Sequence, residues 1–166
     1  MDFLISFKKK KIEFLKKENI YFFLIIITIF FFDRITKIEI INNYSNGASY
    51  INDYINLDLI WNIGIGFGFL STDSSLIYNF ISMIIGIVIL YLVYIFIESE
   101  KLDKIIYSII IGGALGNFYD RILYKAVPDF IDIHYSNMHW FTFNIADVFI
   151  TIGILIFIIK SYFIKN

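Results

Sequence analysis

The sequence contains no cysteine and only one proline among its 166 residues. The absence of cysteine excludes disulfide bonds, thiolate metal ligands and a cysteine nucleophile. Charge of one sign is also scarce: the formal net charge is -1, so the overall charge favours neither nucleic acid nor an acidic macromolecule as a partner. Apolar residues instead make up 58% of the chain and aromatic residues 20%. These fractions exceed the usage of soluble domains and predict an integral membrane protein.

Four apolar runs are long enough to cross about 30 Å of hydrocarbon as helices that rise about 1.5 Å per residue. They cover approximately residues 20–37, 74–97, 104–120 and 142–163. The first run follows a lysine-rich stretch like that of a secretory signal peptide, but no small-residue cleavage site follows it. We interpret the run as a retained anchor. The predicted fold class is a membrane all-α bundle of four transmembrane helices, in a single domain over residues 1–166.

The basic residues are distributed asymmetrically about the four runs. Ten of the 14 lysines and arginines lie before the first run, between the second and third, or at the end of the chain. Cytoplasmic segments carry such an excess, so we expect both termini in the cytoplasm. The four exceptions stand beside polar motifs at the opposite membrane face, which indicates a functional role; they are Arg34, Lys37, Arg121 and Lys125.

Two stretches remain for the outer side of the membrane. Residues 38–62 contain a turn signal at Asn46-Gly47 and alternate between apolar and polar residues from Ile55 to Leu59, which predicts a small β-containing insert. Residues 121–141 form a predicted outer loop. Neither stretch is long or apolar enough to build an independent core, so we expect both on or in the outer membrane interface.

Asp33, Asn117 and Asp147 lie within predicted spans, where an ionisable side chain costs a few kcal/mol or more unless it has a partner, a cavity or a function. Asp33 lies 13 residues from Ile20, Asn117 lies 13 residues from Lys104, and Asp147 lies 13 residues from Lys160. Each of these reference residues stands at the predicted cytoplasmic end of the same span. Thirteen residues correspond to roughly 20 Å of helix, which leaves the three side chains about 10 Å below the outer surface of the hydrocarbon. The common depth predicts one polar site near the outer leaflet.

Residue spacing indicates which side chains share a helix face. Asp33 and Lys37 are four residues apart, and so are Asn117 and Arg121. An alternative interpretation is that Asp33 and Arg121 are interfacial charges, satisfied by each other or by lipid headgroups.

The last two spans carry further packing signals. Asn144, Asp147 and Thr151 form a polar stripe on an otherwise apolar helix, and we predict that this stripe faces inward. The small residues at 112–116 allow another helix to approach closely, directly before the polar segment 117–121.

Five sequence blocks together resemble the lipoprotein signal peptidase family, also called signal peptidase II. They follow the family order between residues 33 and 147, and they are Asp33-Arg34-Ile35-Thr36-Lys37, Asn62-Ile63-Gly64-Ile65-Gly66-Phe67, Gly112-Gly113-Ala114-Leu115-Gly116-Asn117-Phe118-Tyr119-Asp120-Arg121, Val127-Pro128-Asp129-Phe130 and Phe143-Asn144-Ile145-Ala146-Asp147. The sequence departs from the family pattern at three positions. Pro128 precedes Asp129, and Gly66 and Gly68 stand where the family more often has other small residues. We expect the added glycine to loosen the loop that enters the second span.

The resemblance implies an aspartic endopeptidase whose catalytic residues are Asp129 and Asp147, with no metal and no cofactor. It implies supporting roles in the site for eight residues, namely Asp33, Lys37, Asn62, Gly64, Asn117, Asp120, Arg121 and Asn144. The implied substrate is a prolipoprotein with diacylglycerol on a cysteine, cut on the N-terminal side of that cysteine. The residues alone indicate Asp147 but leave open whether Asp129 or Asp120 is its partner.

The expected partners are lipid-modified prolipoproteins and membrane lipids, without nucleic acid, and the chain is expected to act as a monomer. Two other functional classes remain possible on the residues alone. Intramembrane carboxylates also serve ion or proton carriers, and a polar helix face can simply hold a membrane scaffold protein together. A metal-dependent headgroup transferase is disfavoured because the carboxylates do not cluster in a short acidic motif.

The remaining polar and aromatic residues of the outer segments receive ordinary interpretations. His134 and His139 lack carboxylate or cysteine neighbours at metal-site spacing, so we predict that they bind no metal. Asp132 is predicted to be a solvated loop carboxylate. Trp61 and Trp140 are predicted to anchor the chain at the membrane interface.

Overall fold

Four helices and one antiparallel sheet form the chain in a computed structural model, which describes residues 17–44, 47–64, 75–136 and 138–163. The elements in chain order are α1 (Lys17–Asn43), β1 (Ser49–Asn52), β2 (Ile55–Asn62), α2 (Ser75–Glu98), α3 (Lys101–Tyr124), β3 (Val127–Tyr135), β4 (Met138–Phe143) and α4 (Ile145–Phe163). Several features used above lie outside the described residues, namely Asn46 of the predicted turn, Gly66, Gly68 and the lysines before residue 17.

Within the described ranges, two helices are long and apolar enough to cross a bilayer: the Leu76–Glu98 part of α2, with a mean hydropathy of 2.8, and Ile145–Phe163 of α4, with 2.0. Most of the surface of these two segments is exposed and apolar, as expected where a helix faces lipid. Among the described residues, α1 and α3 do not reach the same apolarity, because they carry the charged side chains of the polar site.

Helix α3 is central to the bundle and contacts each of the other three helices. Its glycines permit this close packing. A methyl group on Gly112 would lie 2.9 Å from Cβ of Ile29 in α1, and one on Gly113 would lie 2.6 Å from the carbonyl oxygen of Ala146 in α4. The predicted small-residue face therefore meets two helices, and it draws α1 and α4 towards the same side of α3.

The four strands form one sheet in the order β1-β2-β3-β4, and every neighbouring pair is antiparallel. Strand β2 pairs with β3 from Ile55 opposite Ile133 to Asn62 opposite Val127. The predicted outer insert and the predicted outer loop are thus joined as one sheet, and the interpretation of 121–141 as a loop is corrected. The strands within residues 121–141 could not be recognised from the sequence, because Asp129 and Asp132 interrupt the apolar pattern of β3. Strand β3 is also buried along most of its length, so apolar and polar residues do not alternate along it.

The helix ends also differ from the predicted spans. Helix α1 continues to Asn43 and α3 to Tyr124, so parts of both predicted outer segments are helical. The last helix begins at residue 145 rather than 142, because Thr142 and Phe143 belong to β4. Apolar content alone does not mark these ends: α3 ends where Lys125 adopts a left-handed backbone with φ of 57°.

Candidate active site

The N-terminus of α4 is closed by a reciprocal cap between two side chains that the sequence singled out. The backbone N–H of Asp147 donates to Oδ1 of Asn144 at 3.0 Å, and the backbone N–H of Asn144 donates to Oδ2 of Asp147 at 3.2 Å. This is the arrangement of a capping box, which satisfies N–H groups that a helix start leaves without partners. It fixes the Asp147 carboxylate at the first turn, where the helix dipole also favours negative charge.

Asp129 is held at β3 by two side-chain amides. Nδ2 of Asn144 donates to its Oδ1 at 2.6 Å, and Nδ2 of Asn62 donates to its Oδ2 at 2.8 Å. Asn62 is itself oriented, because its Oδ1 accepts the backbone N–H of Gly64 at 2.8 Å. Asp129 is only 3% exposed. Both of its oxygens are therefore occupied by donors whose own positions are fixed.

Asn144 donates to both carboxylates, to Asp129 through its amide nitrogen and to Asp147 through its backbone N–H, while its amide oxygen accepts the backbone N–H of Asp147. We refer to Asp129 and Asp147 as the carboxylate pair. Burial raises the pKa of Asp129 to about 7, and the negative charge of Asp147 adds to the increase; the hydrogen bonds from Asn62 and Asn144 and the charge of Lys37 oppose it. Near neutral pH one proton is thus available at this pair.

Lys37 connects the carboxylate pair to a buried group of charges. Its side chain is fully buried, with Nζ 2.7 Å from Asp33 and 2.8 Å from Asp120. Nζ also donates to Oδ1 of Asn117 at 2.8 Å, and Nδ2 of Asn117 donates to Oδ1 of Asp147 at 2.8 Å. Lys37 therefore orients Asp147 through one intervening amide.

Arg34 completes this buried group. Its guanidinium forms an ion pair with Asp120, lies 4.8 Å from the centre of the Tyr119 ring and donates to the Tyr124 hydroxyl at 3.4 Å. We call Asp33, Arg34, Lys37 and Asp120 the charge network. It contains two cations and two anions, so the network buries no net charge, and each carboxylate faces a cation. Mutual pairing offsets part of the large cost of removing each ion from water.

Asp33 also contacts α4 directly. Its Oδ1 accepts the backbone N–H of Ala146 at 2.9 Å, within the first turn that carries Asp147. This bond satisfies another free N–H of the helix start and joins α1 to the N-terminus of α4. The charge network and the carboxylate pair are therefore parts of one connected arrangement.

Arg121 lies apart from the carboxylate pair. Its guanidinium donates to the backbone carbonyl of Gly64 and lies 5.8 Å from the centre of the Tyr78 ring. The Tyr78 hydroxyl donates to the backbone carbonyl of Arg121 at 3.3 Å. Arg121 thus holds the backbone that follows Asn62 rather than contacting an aspartate.

The structure brings most of the predicted site residues together, with differences. Direct hydrogen bonds join the carboxylate pair to three asparagines, namely Asn62, Asn117 and Asn144. Asp120, the alternative partner for Asp147, is instead engaged by Arg34 and Lys37. The interpretation of Asp33 and Arg121 as satisfying each other is wrong, because each has other partners.

Sequence reasoning missed two contributors to the site. Arg34 was recognised as an unusual charge, but nothing in the sequence links it to Asp120, 86 residues away. The backbone N–H of Ala146 carries no side-chain signal at all. Its role follows only from the helix start at residue 145, which the predicted span placed three residues too early.

A groove of about 280 Å³ opens beside Asp147 between β4 and α4. Its other lining residues are Phe141, Phe143, Val148, Thr151 and Ile152. Thr151 is exposed, so the prediction that the polar stripe faces inward is wrong at this residue. The stripe runs from a buried cap at Asn144 to an open groove at Thr151, which gives the carboxylate pair access from the side of the bundle.

The sheet contains one further correction. Asp132, predicted to be solvated, is 4% exposed, and its Oδ2 lies 2.6 Å from Nδ1 of His139. Within the described part of the chain, no group of three or more His, Asp or Glu side chains is arranged to hold a metal ion.

Comparisons with known proteins identify the family of this chain. The family model described as signal peptidase (SPase) II matches residues 25–163. A protein of Pelagibacter ubique (strain HTCC1062) named lipoprotein signal peptidase is 46% identical over 153 residues, covering 90% of this chain and 92% of its own. One of the same name from Francisella tularensis subsp. novicida (strain U112) is 39% identical over 158 residues, covering 92% and 98%. A solved bacterial membrane enzyme superposes with a TM-score of 0.71 at 31% identity, covering 88% of this chain and 92% of its own.

Proposed function

This chain belongs to the signal peptidase II family, and from that membership we propose that it is an intramembrane aspartic endopeptidase that removes signal peptides from prolipoproteins. The substrate in this proposal carries diacylglycerol on a cysteine, and the scissile bond lies on the N-terminal side of that cysteine. Relatives named lipoprotein signal peptidase support the substrate class. The arrangement of Asp129 and Asp147 supports the aspartic mechanism.

The observation that carries the proposed mechanism is the position of Asn144, whose side-chain amide donates to the Asp129 carboxylate and whose backbone N–H donates to the Asp147 carboxylate. Hydrolysis of an amide by two carboxylic groups needs one group to take a proton from water and the other to protonate the carbonyl oxygen or the leaving nitrogen. Two neighbouring carboxylates that share one proton supply both functions. Asn144 fixes both members at once, so that water and peptide can be held between them.

We assign the shared proton to Asp129 in the resting enzyme, because its pKa is raised to about 7. Asp147 then acts as the base that deprotonates the attacking water, and Asp129 protonates the carbonyl oxygen as the tetrahedral intermediate forms. As that intermediate collapses, Asp147 gives the proton taken from water to the leaving nitrogen, the C–N bond breaks, and a hydroxyl of the intermediate returns its proton to Asp129. Lys37 acts as a positioning residue, since it reaches Asp147 only through Asn117.

In the membrane, this proposal has all four helices crossing the bilayer and both termini in the cytoplasm. Helices α2 and α4 support it by their length and apolarity, and the asymmetric distribution of basic residues supports the orientation. The sheet then lies at the outer face, and the groove beside Asp147 receives the substrate from the lipid. The acyl chains can remain in the outer leaflet while the peptide reaches the carboxylate pair. The partners in this proposal are lipidated precursors and membrane lipids, and the enzyme acts as a monomer.

The proposal is tested by cleavage of a diacylglyceryl-modified precursor peptide by the purified chain in detergent. Asp129→Asn and Asp147→Asn should each lower kcat by at least about 100-fold, because each removes a group that transfers a proton. Asp53→Asn is the matched control, since Asp53 is an exposed carboxylate on the outer hairpin. Cleavage should persist with a chelator present.

Two results would contradict different parts of the proposal. Full activity in either active-site variant would remove that residue from the catalytic pair. Failure of the parent chain to cut any lipidated precursor, although it cut an unlipidated one, would contradict the proposed substrate.

A further inference from the structure

Strand β4 forms one edge of the sheet. The strand order β1-β2-β3-β4 leaves β4 paired with β3 on one side, and no strand pairs with its other side in the part of the chain that the structure describes. An edge strand directs part of its backbone N–H and C=O groups away from the sheet, where another extended chain can pair with them. The far side of β4 is therefore open to a partner.

The residues of β4 do little to protect this edge. Met138–Phe143 contains no proline and no lysine, and its first four residues are exposed. Strand β1, at the opposite edge, has only four residues, and very short edge strands are a common protection against pairing. Trp140 has no opposite residue in β3, which makes it a bulge of the kind that is frequent next to active sites. The three residues after this bulge pair regularly with β3 to the end of the strand.

The open edge ends at the candidate active site. Strand β4 ends at Phe143, and the next residue is Asn144, which donates to both members of the carboxylate pair. Phe141 and Phe143 line the groove that opens beside Asp147, and their spacing puts both side chains on one face of the sheet. An extended peptide paired with the end of β4 would therefore lie beside this groove and next to the carboxylate pair.

The proposed substrate has to leave helical structure before it is cut. In a helix, each backbone C=O accepts the N–H four residues later, so the peptide bond is enclosed by its own neighbours. Unwinding frees the bond but leaves N–H and C=O groups without partners, and each unmatched group is costly next to hydrocarbon. A sheet edge supplies both donors and acceptors at the spacing of an extended chain.

On the basis of the proposed function, we propose that the substrate segment around the scissile bond binds as a strand added to the free edge of β4. Backbone hydrogen bonds then supply affinity that depends little on the sequence of the substrate. Side chains of the added strand alternate between the two faces of the sheet, so every second one faces the groove. The edge strand thus holds the unwound peptide while the carboxylate pair cuts it.

The opposite edge of the sheet does not offer the same position. Strand β1 is separated from β4 by three strand spacings, which amount to about 14 Å. The described lining of the groove beside Asp147 comes from β4 and α4. Strand β1 therefore provides an internal control for binding at a sheet edge.

The inference is tested with diacylglyceryl-modified precursor peptides that each carry one backbone N-methyl group. The methyl group is placed in turn at the three residues on each side of the scissile bond, apart from the scissile amide itself. N-methylation removes a donor and obstructs pairing, so every second position should lose about tenfold or more in kcat/KM, mainly through KM. The positions between them, whose N–H groups point away from β4, should stay close to the unmethylated peptide. Losses without this two-residue period, or no loss at any position, would overturn the inference.

Cross-linking tests the same inference from the side of the enzyme. In the Asp147→Asn chain, which should bind the precursor without cutting it, the photoreactive residue p-benzoylphenylalanine replaces either Trp140 of β4 or Tyr50 of β1. Both are exposed aromatic side chains on edge strands, at 61% and 67% exposure. Irradiation should attach the lipidated precursor at residue 140 at least fivefold more than at residue 50, and equal yields would overturn the inference. Cleavage of the unmethylated precursor by the parent chain reports separately on the proposed function, and its absence would contradict that function.

Discussion

At the scale of single residues, Asn144 shows why an amide occupies the centre of the site. Its oxygen accepts the backbone N–H of Asp147 while its nitrogen donates to Asp129. An ionised aspartate in its place could accept hydrogen bonds but not donate them, and its negative charge would face two further carboxylates. A serine could cap the helix, but its side chain is shorter than that of asparagine. Asn52 presents a contrast, because its oxygen only accepts, from the N–H groups of Tyr54 and Ile55. Asn62 and Asn117, which also contact the carboxylate pair, use both functions of the amide as Asn144 does.

Asp129 sets the expected pH dependence. In the proposed mechanism it must be protonated, and burial raises its pKa to about 7, so kcat/KM should fall as the pH rises through about 7. The hydrogen bond from Asn62 lowers this pKa, because it stabilises the ionised form. Asn62→Ala should therefore shift the alkaline limb to higher pH while reducing the maximal rate. The measurement is the pH profile of cleavage by the parent and the variant.

Asp58→Asn supplies the control for that profile. Asp58 lies on the same strand as Asn62 but outside the contacts of the carboxylate pair, so its replacement should leave the alkaline limb in place. A limb that moved to lower pH in Asn62→Ala would contradict the assignment of the proton to Asp129.

At the scale of helices and strands, the packing of α3 against α1 determines the position of the charge network. The nearest atoms to a methyl group added at Gly116 would belong to the Asp33 carboxylate, at less than contact distance. Asp33 must then move, and its bonds to Lys37 and to the Ala146 N–H move with it.

Gly116→Ala should lower kcat by about 10- to 100-fold and destabilise the chain by about 1–3 kcal/mol, the usual range for overpacking. Gly86→Ala in α2 is the matched control, since its added methyl group would meet only the ring of Phe118, 3.1 Å away, which can adjust. Cleavage kinetics and thermal unfolding in detergent measure the two effects. Equal losses in both variants would show a general packing defect rather than displacement of Asp33.

The features that could be predicted from the sequence are those encoded locally. The 3.6-residue helical repeat placed Asp33 and Lys37 on one face, and they are in contact at 2.7 Å. A common depth predicted that Asn117 and Asp147 would meet, and they are joined at 2.8 Å. The β-containing insert was predicted from the alternation after Ile55, which lies in β2. Each of these inferences needs only the spacing of residues along one helix or strand, or the depth of a residue in the membrane calculated from the helix rise.

The features that could not be predicted depend on pairing between distant segments. Strand β3 is buried on both sides and contains two aspartates, so it does not show the alternation by which β2 was recognised. Without β3, nothing in the residues distinguishes Asp129 from Asp120, and Asp132 is taken as solvated. The pairing of β2 with β3 brings Asn62 to Asp129, 67 residues away. The family resemblance selected Asp129, where local spacing left the choice open.

At the scale of the whole molecule, the proposed arrangement puts the helices across the membrane and both strand pairs at its outer face. Cysteine labelling tests this directly, because the natural chain contains no cysteine and gives no background. Single cysteines at Asp53 and Tyr135 should react with a membrane-impermeant maleimide from the outside. Cysteines at Lys101 and Tyr162 should react only after the cells are lysed. All four positions are exposed in the fold.

The unmodified chain should remain unlabelled on both sides, which controls for other reactive groups. Labelling of residues 53 and 101 from the same side would contradict a membrane-crossing α2. Labelling of 135 and 162 from the same side would contradict a crossing α4.

The charge network has a consequence for the newly made protein. Asp33 and Lys37 lie on one helix and neutralise each other as soon as α1 forms, but the partner of Arg34 is Asp120, 86 residues later. At about 5–20 residues per second, synthesis of that interval takes roughly 4–17 seconds. In the proposed arrangement, with α1 crossing the membrane, the nascent helix carries a cation without its permanent counter-ion during this time. The same arrangement predicts that anionic headgroups or the insertion machinery shield this cation until α3 brings Asp120 to it.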